Sequence, residues 1–404
     1  VADFFQNGVV TTLHKLRDRS IDALESELYR FSQRNAITLV LPSLYSELKG
    51  PALPGIIQHL QQVPYISEIV IGLDRATKSE FEHARNFFSA LPQPTTILWH
   101  EGPEMMRLDA LLKQKKLSPR ELGKGRNVWF CLGYIFARGK GGVVGLHDCD
   151  ILTYDRSLTA RLFYPVADPS LNFKFCKGYY SRVSGDRLGG RVSRLFFTPL
   201  IRALRKILGT LDYLEFMDSF RYPLSGEFSL HTDAINSIRI PSDWGLEVGI
   251  LSEVYSNFSN NAVCQVDLAD RYDHKHQPLS EGNPNLGLAK MSMDIAKSIY
   301  RKLATEGITF SNEFFRTIKA AYFRSALELL DRYYYEARLN GLKFDRHIEE
   351  QSIEVFLHSV ILAGEQFLAN PMEVPFIPNW NRIFSAIPEF PELLMSAVET
   401  NNPS

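Results

Sequence analysis

Four short apolar runs constrain this chain most: "AITLVLP" at 36–42, "ISEIVIGLD" at 66–74, "TTILWH" at 95–100 and "GVVGLHD" at 142–148. Each is short, partly β-branched and bounded by residues that end regular structure, so each reads as a buried strand. Stretches of helical periodicity lie between and after them, at 51–62, 77–91 and 124–138, the last with an apolar face of Val128, Leu132, Ile135 and Phe136. Strand and helix thus alternate, with a helix in each interval between the four strands. The pattern predicts an α/β fold, a Rossmann-like, mostly parallel sheet with helices on both faces. Ligands of such sheets bind beyond the carboxyl ends of the strands.

The flanks are read more coarsely. Residues 9–33 place Val10, Leu13, Leu16, Ile21, Leu24, Leu28 and Phe31 near helical spacing, which predicts one amphipathic helix packed on the sheet. From about 170 to 270 the pattern loosens into strand-like pieces, "FKFCKGYYSRV" and "NNAVCQVDL", with one helix near 194–217, and beyond about 284 it is helical. The expected division is an N-terminal helix at 1–35, an α/β half at 36–168, a second half at 169–283, and a helical C-terminal extension at 284–404. The extension is expected to dock on the rest. Its Tyr333–Tyr335 run suits packing or a subunit contact better than chemistry.

Composition narrows the partners. Lys plus Arg number 45 against 46 for Asp plus Glu, so no net field favours nucleic acid or an anionic membrane surface, and an anionic ligand needs a local basic cluster. Cys131, Cys149, Cys176 and Cys264 are far apart and form no CxxC pair, which suits reduced thiols and argues against metal binding through cysteine. No apolar run approaches the roughly 20 residues of a bilayer span, and the N-terminus has no basic-then-apolar order. A soluble, cytoplasmic protein is expected.

The fourth run ends in "HDCD". Asp148 and Asp150 are two apart, so at a strand end both carboxylates project to the same side. Magnesium or manganese prefers one or two carboxylates plus phosphate oxygens, so the pair fits a nucleoside diphosphate; a turn or helix cap is the plain alternative. "LPSLYSE" (41–47), "DRATKSE" (74–80) and "LGKGRN" (122–127) would reach the same rim. Lys124, between two glycines, offers a cation on a backbone that can approach phosphate closely, or else a solvated turn. The spacing is not that of a P-loop.

Taken in order, "LPSLYSE", "GKG", "DCD", "GGRVS" (189–193), "YPLSGEF" (222–228), "WGLEVGIL" (244–251) and "DHKHQPL" (273–279) resemble the glucosyl-3-phosphoglycerate synthase family, retaining glycosyltransferases of the GT-A fold. The likeness covers roughly residues 36–300. It implies that Pro42, Ser43 and Leu44, with Glu47, hold the uridine, that Asp74 ends the second strand beside it, and that Lys124 lies near the nucleotide. In "DCD" it implies that Asp150 binds the metal and Asp148 faces the ribose, with Cys149 between them on the donor edge, its thiol pointing back to the core. His274 is the implied second metal ligand.

For the acceptor the resemblance implies Gly190, Arg191, Val192, Ser193 and His276. Arg191 can fork onto a phosphate, Gly190 lets backbone N–H groups approach, and Ser193 adds a short donor. A solvated basic loop at a helix head is the alternative. Glu227 is the candidate carboxylate at the reacting centre, or a charge at a helix N-terminus. With Glu227, Lys124 and Asp150 as catalytic groups, the implied reaction moves glucose from UDP-glucose to the 2-hydroxyl of 3-phosphoglycerate, aided by Mg2+ or Mn2+. Retention is expected by front-face departure and attack with Glu227 positioning, or through a covalent carboxylate intermediate. GDP-mannose as donor, free glycerate as acceptor, and a silent nucleotide-binding protein stay open. The family likeness suggests a homodimer, for which "RSALELLDRYYYEARL" offers an apolar face.

Overall fold

The four apolar runs pair as parallel strands. A computed structural model of the chain describes residues 6, 8–119, 122–241, 245–274, 286–371 and 377–402. Its strands are β1 Thr11–Leu13, β2 Ala36–Leu44, β3 Glu68–Asp74, β4 Thr95–Trp99, β5 Gly142–Leu146, β6 Phe175–Ser184, β7 Arg187–Leu188, β8 Phe228–His231 and β9 Val263–Tyr272. The sheet order is β1-β9-β6-β8-β5-β2-β3-β4, with β7 a short hairpin on β6. β8 alone of the central strands runs antiparallel, between β5 and β6. Its start, not its end, therefore lies at the rim where its neighbours finish.

The helices are α1 Ile21–Ser32, α2 Ala52–Leu60, α3 Lys78–Phe88, α4 Pro103–Gln114, α5 Lys124–Ala137, α6 Arg156–Ala167, α7 Thr198–Leu208, α8 Asp212–Ser219, α9 Leu246–Asn257, α10 Gly287–Thr305, α11 Asn312–Leu339, α12 Arg346–Ala369, α13 Trp380–Ala386 and α14 Phe390–Asn401. Both sheet faces are covered. Leu39, Leu41, Ile69, Ile71 and Val143 point to one core with α1, α2, α3 and α6, while Val40, Val70, Leu98 and Val144 point to the other with α4, α5 and the C-terminal helices. That alternation is the period of two expected of strands buried on both faces.

The single helix expected over 9–33 is not formed. Thr11–Leu13 instead pairs in parallel with Cys264–Val266, and the helix begins only at Ile21 after Ser20. Val9 to Thr12 are all β-branched, a composition that favours a strand. Leu16, assigned to the apolar face, is 75% exposed. The helix expected near 194–217 is likewise divided: a π-helical turn, Val192–Phe197, leads into α7, and Gly209 at φ +77° ends α7 before α8. Helices α4, α6 and α9 and strand β8 are formed in addition to the elements expected from the sequence.

The C-terminal helices share the core of the sheet. Trp380 stacks on Trp129 of α5 at 4.0 Å, and the two indoles donate to each other's segments, Trp380 Nε1 to the Trp129 carbonyl at 3.0 Å and Trp129 Nε1 to the Pro378 carbonyl at 2.9 Å. Gly133 makes room, since a Cβ there would lie 2.0 Å from the Trp380 ring. At the far end the Asn402 side chain bonds both the N–H and the C=O of Ile97, each at 2.9 Å, closing part of the exposed edge of β4. Helix α12 is long and apolar enough to span a bilayer by length and composition. Here it packs on α10 and α11 through Ile353, Phe356, Val360 and Ala363. Of the α11 segment 324–339 that offers an apolar face for a subunit contact, Ala326, Leu329, Leu330 and Ala337 are buried within the chain, while Tyr335 and Leu339 are 64% and 87% exposed.

Candidate active site

Strands β2, β3, β5, β6 and β9 end on one rim, and the start of β8 joins them. Register puts Leu44 level with Asp74 and Pro42 level with Gly72, so the end of β2 and the end of β3 form one edge. Ser43 is buried, Pro42 half-buried, Leu44 exposed, and Glu47 sits in the 3-10 turn Tyr45–Lys49 that follows. Asp74 accepts from Asn127 Nδ2 at 3.1 Å, and the same amide donates to the Gly72 carbonyl at 2.8 Å. Only glycine fits at 72, because a Cβ would fall 1.7 Å from Asn127 Oδ1. Burial lifts the Asp74 carboxyl to about 6, against the opposing bond from Asn127.

Beyond β5, His147 is fully buried, and burial drops its pKa to about 3, so the imidazole is neutral. Cys149 is buried at 3% exposure, its side chain in the core on the α6 side of the sheet, and burial holds its thiol protonated. Asp148 and Asp150 are half-buried on either side of it. The backbone then forms an isolated bridge from Ile151 to His274, reinforced by the Leu152 N–H to the Asp273 carbonyl at 2.8 Å. That bridge is why a residue 124 positions downstream of Asp150 stands beside it. Single ligand atoms of Asp148, Asp150 and His274 all lie within 4.8 Å of one another, and His274 Nδ1 is 3.7 Å from Asp150 Oδ1.

Lys124 opens α5 directly after the extended Gly123, and its Nζ lies 2.6 Å from Asp148 Oδ1 and 3.1 Å from Glu247 Oε1. Burial works against both charges. The pairing prevails, so Asp148 is held below the usual carboxylate range and Lys124 above the usual lysine range. Gly226 closes on the same carboxylate, since a Cβ there would sit 2.3 Å from Asp148 Oδ2.

Glu227 precedes β8 and has no exposed surface. It reaches the rim because Phe228 pairs with Leu146, and its carbonyl accepts from the Gly178 N–H at 2.9 Å. Tyr180 and Tyr272, stacked on each other at 3.6 Å, each donate a hydroxyl to one oxygen of the Glu227 carboxylate at 2.7 Å. Burial and then Asp148 push this carboxyl up, opposed by the two phenols and Lys124. Lys177, 1% exposed, braces the segment through its Nζ on the Ser225 carbonyl at 2.6 Å; burial lowers its pKa to about 8.

The second basic element stands apart from this cluster in the chain. Gly190 takes φ +69° against the Tyr222 ring, where a Cβ would be 3.2 Å away, and Arg191, Val192 and Ser193 begin the π-helical turn. Ser193 Oγ is buried without a hydrogen bond among the described residues. Arg191 is partly exposed and its Nε donates to Glu349 Oε1 at 2.9 Å. His276 lies outside the described residues.

Several residues of the rim have no distinct signal in the sequence. Glu247 and Gly226 lie inside the motifs "WGLEVGIL" and "YPLSGEF", which assign them no role. Tyr180, Tyr272 and Lys177 carried no signal beyond strand periodicity. They are recognisable only once β6, β8 and β9 are set side by side.

No family model matches the chain. A glucosyl-3-phosphoglycerate synthase of Persephonella marina is 47% identical over 402 residues, 100% of this chain and 99% of that protein. One of Methanococcoides burtonii is 37% identical over 402 residues, covering 98% and 97%. Among solved structures, glucosyl-3-phosphoglycerate synthase from Mycobacterium tuberculosis in complex with Mn2+, UDP-glucose and phosphoglyceric acid matches with a TM-score of 0.54 at 22% identity, over 75% of this chain and 89% of that one. The same enzyme with Mg2+ and UDP gives 0.53 over the same shares. At this identity the match speaks for the fold, which is GT-A with a C-terminal helical extension.

Proposed function

The chain belongs to the glucosyl-3-phosphoglycerate synthase family, a family of glycosyltransferases, and on that premise we propose that it transfers glucose from UDP-glucose to the 2-hydroxyl of 3-phosphoglycerate with retention at the anomeric carbon. One observation carries the reading: Asp148, Asp150 and His274 converge within 4.8 Å at the strand ends, beside Lys124 and the buried Glu227. The donor set fits a divalent cation. Asp150 Oδ1 is buried without a hydrogen bond among the described residues, and two carboxylates with an imidazole suit manganese or magnesium.

Asp150 and His274 would hold the ion, which supplies a Lewis acid for the departing diphosphate. Lys124 orients Asp148 toward the ribose side and adds positive charge to the same edge. Pro42, Ser43, Leu44 and Glu47 with Asp74 line the edge for the uridine. Arg191 and Ser193 receive the acceptor's anionic groups, with Gly190 and Val192 shaping the loop and His276 assigned to the same side. Glu227 is a positioning group. Both its oxygens already accept tyrosine hydroxyls and it has no exposed surface, which supports front-face retention over a covalent glycosyl ester. A reducing cytoplasm is the proposed setting, supported by four buried free cysteines. A homodimer is proposed from the family likeness, to be checked by light scattering.

The test is a matrix of UDP-glucose and GDP-mannose against 3-phosphoglycerate and glycerate, with products identified by mass. Turnover with UDP-glucose and 3-phosphoglycerate alone supports the reading. A preference for GDP-mannose or for free glycerate would replace it with the corresponding relative.

A further inference from the structure

The loop that carries Arg191 is held by helices at the other end of the chain. Contacts of three kinds do this. The segment after α11 lies along the β6–β7 hairpin, with Lys343 bridged to Arg187 and its N–H donating to the Asp186 carbonyl at 2.7 Å. Tyr322 of α11 donates its hydroxyl to the Leu195 carbonyl at 2.7 Å, and the Arg194 guanidinium lies over the Tyr333 ring at 5.0 Å. The third kind is ionic. Glu349, 5% exposed in the first turn of α12, accepts from Arg191 Nε at 2.9 Å through one oxygen and from Arg194 Nη2 at 3.0 Å through the other.

Each arginine is used differently. Arg194 is buried, and besides Glu349 it bonds the Gly189 carbonyl through Nε at 2.7 Å and the Leu188 carbonyl through Nη2 at 3.3 Å. It thus staples the glycine pair of the loop to α12. Arg191 is bonded by Glu349 at Nε alone, and its side chain stays 34% exposed. A guanidinium fixed at Nε has its two terminal nitrogens aimed away as a fork, the geometry that receives a phosphate or carboxylate in two parallel bonds. Asp345 fixes where the carboxylate stands, by accepting from the Ile348 N–H and so setting the start of α12.

We propose that Glu349 is a positioning residue of the acceptor site, and that the C-terminal extension thereby sets the affinity for the anionic acceptor, orienting Arg191 and, through Arg194, the 188–190 backbone. The inference rests on the reading of this loop as the acceptor site. Among the described residues Glu349 is the one carboxylate paired with either arginine, so removing its charge leaves both guanidinium groups without an anionic partner.

The test compares wild type, Glu349→Gln, Glu349→Asp and Arg191→Ala on the full chain. Steady-state kinetics with Mn2+ are run while 3-phosphoglycerate and UDP-glucose are varied separately, and amide hydrogen exchange is followed over residues 186–196. Glu349→Gln is expected to raise the acceptor KM about tenfold or more, as displacement of a binding group does, with the UDP-glucose KM unchanged and faster exchange in the loop. Glu349→Asp should recover part of the loss. An unchanged acceptor KM with unchanged exchange overturns the proposal, as does an equal loss in both substrates, which marks a merely structural role. If wild type makes no glucosyl-3-phosphoglycerate, the functional reading fails on its own. The exchange comparison then still decides whether Glu349 orders the loop.

Discussion

The edge proposed for the donor and the loop proposed for the acceptor are built in opposite ways. At the donor edge the placing contacts are local to the sheet: Leu44 beside Asp74 by strand register, Glu227 at the rim through the pairing of Phe228 with Leu146. At the acceptor loop they come from more than 150 residues away, from Glu349 to Arg191 and Arg194. The donor edge inherits its geometry from the sheet. The acceptor loop borrows it from the extension. Changes at the one should therefore alter metal and UDP-glucose parameters, and changes at the other the acceptor's.

The largest effect is expected at the proposed metal ligands. Asp150→Ala or His274→Ala should lower kcat about a thousandfold, because Lewis-acid stabilisation is worth several kcal/mol and each ~1.4 kcal/mol is tenfold. Calorimetric titration of UDP should lose its dependence on Mn2+ in both variants, while a retained dependence would place the ion elsewhere. Next comes Gly226→Ala, whose Cβ would fall 2.3 Å from Asp148 Oδ2. Displacing that carboxylate should cost about a hundredfold in kcat, with the acceptor KM untouched, and an acceptor defect would show that the two regions are not separable. The Glu349 variants follow at about tenfold and on the other substrate.

The smallest effect is a pH dependence. Asp74 is lifted to about 6 from the usual 3.8, chiefly by burial. The folded protein therefore holds this proton more tightly than the unfolded chain, so the group's contribution to stability declines as the pH rises through that interval. Its ionised form, which accepts from Asn127, is lost as the pH falls through about 6. UDP affinity is expected to drop a few-fold from about pH 7 to about pH 5.5, and Asp74→Asn to flatten the profile. A wild-type profile already flat would remove Asp74 from the donor edge.

The same contrast explains what the sequence disclosed. Strands β2 to β5 and the Asp148–Asp150 pair were legible, because a buried strand has a local signature and a residue at its end has a known destination. Val9 to Leu16 mislead because a helical spacing runs by chance across two elements, a β-branched strand and a loop before Ile21. Glu227 stands out in "YPLSGEF" as a candidate carboxylate, but its tyrosine partners have no such signal, since Tyr180 and Tyr272 meet it only when β6 and β9 flank an antiparallel β8. Glu349 was silent in the sequence for the same reason carried further. Nothing near residue 349 distinguishes it from other helix-start glutamates, and its meaning lies wholly in two arginines far upstream.

The most direct test of the account is the structure of the product formed from UDP-glucose and 3-phosphoglycerate with Mn2+, read by NMR. The account predicts one glucosyl unit on the 2-hydroxyl in the α configuration of the donor, with one UDP released for each. A β linkage, glucose on another oxygen, or release of UDP without transfer would contradict it.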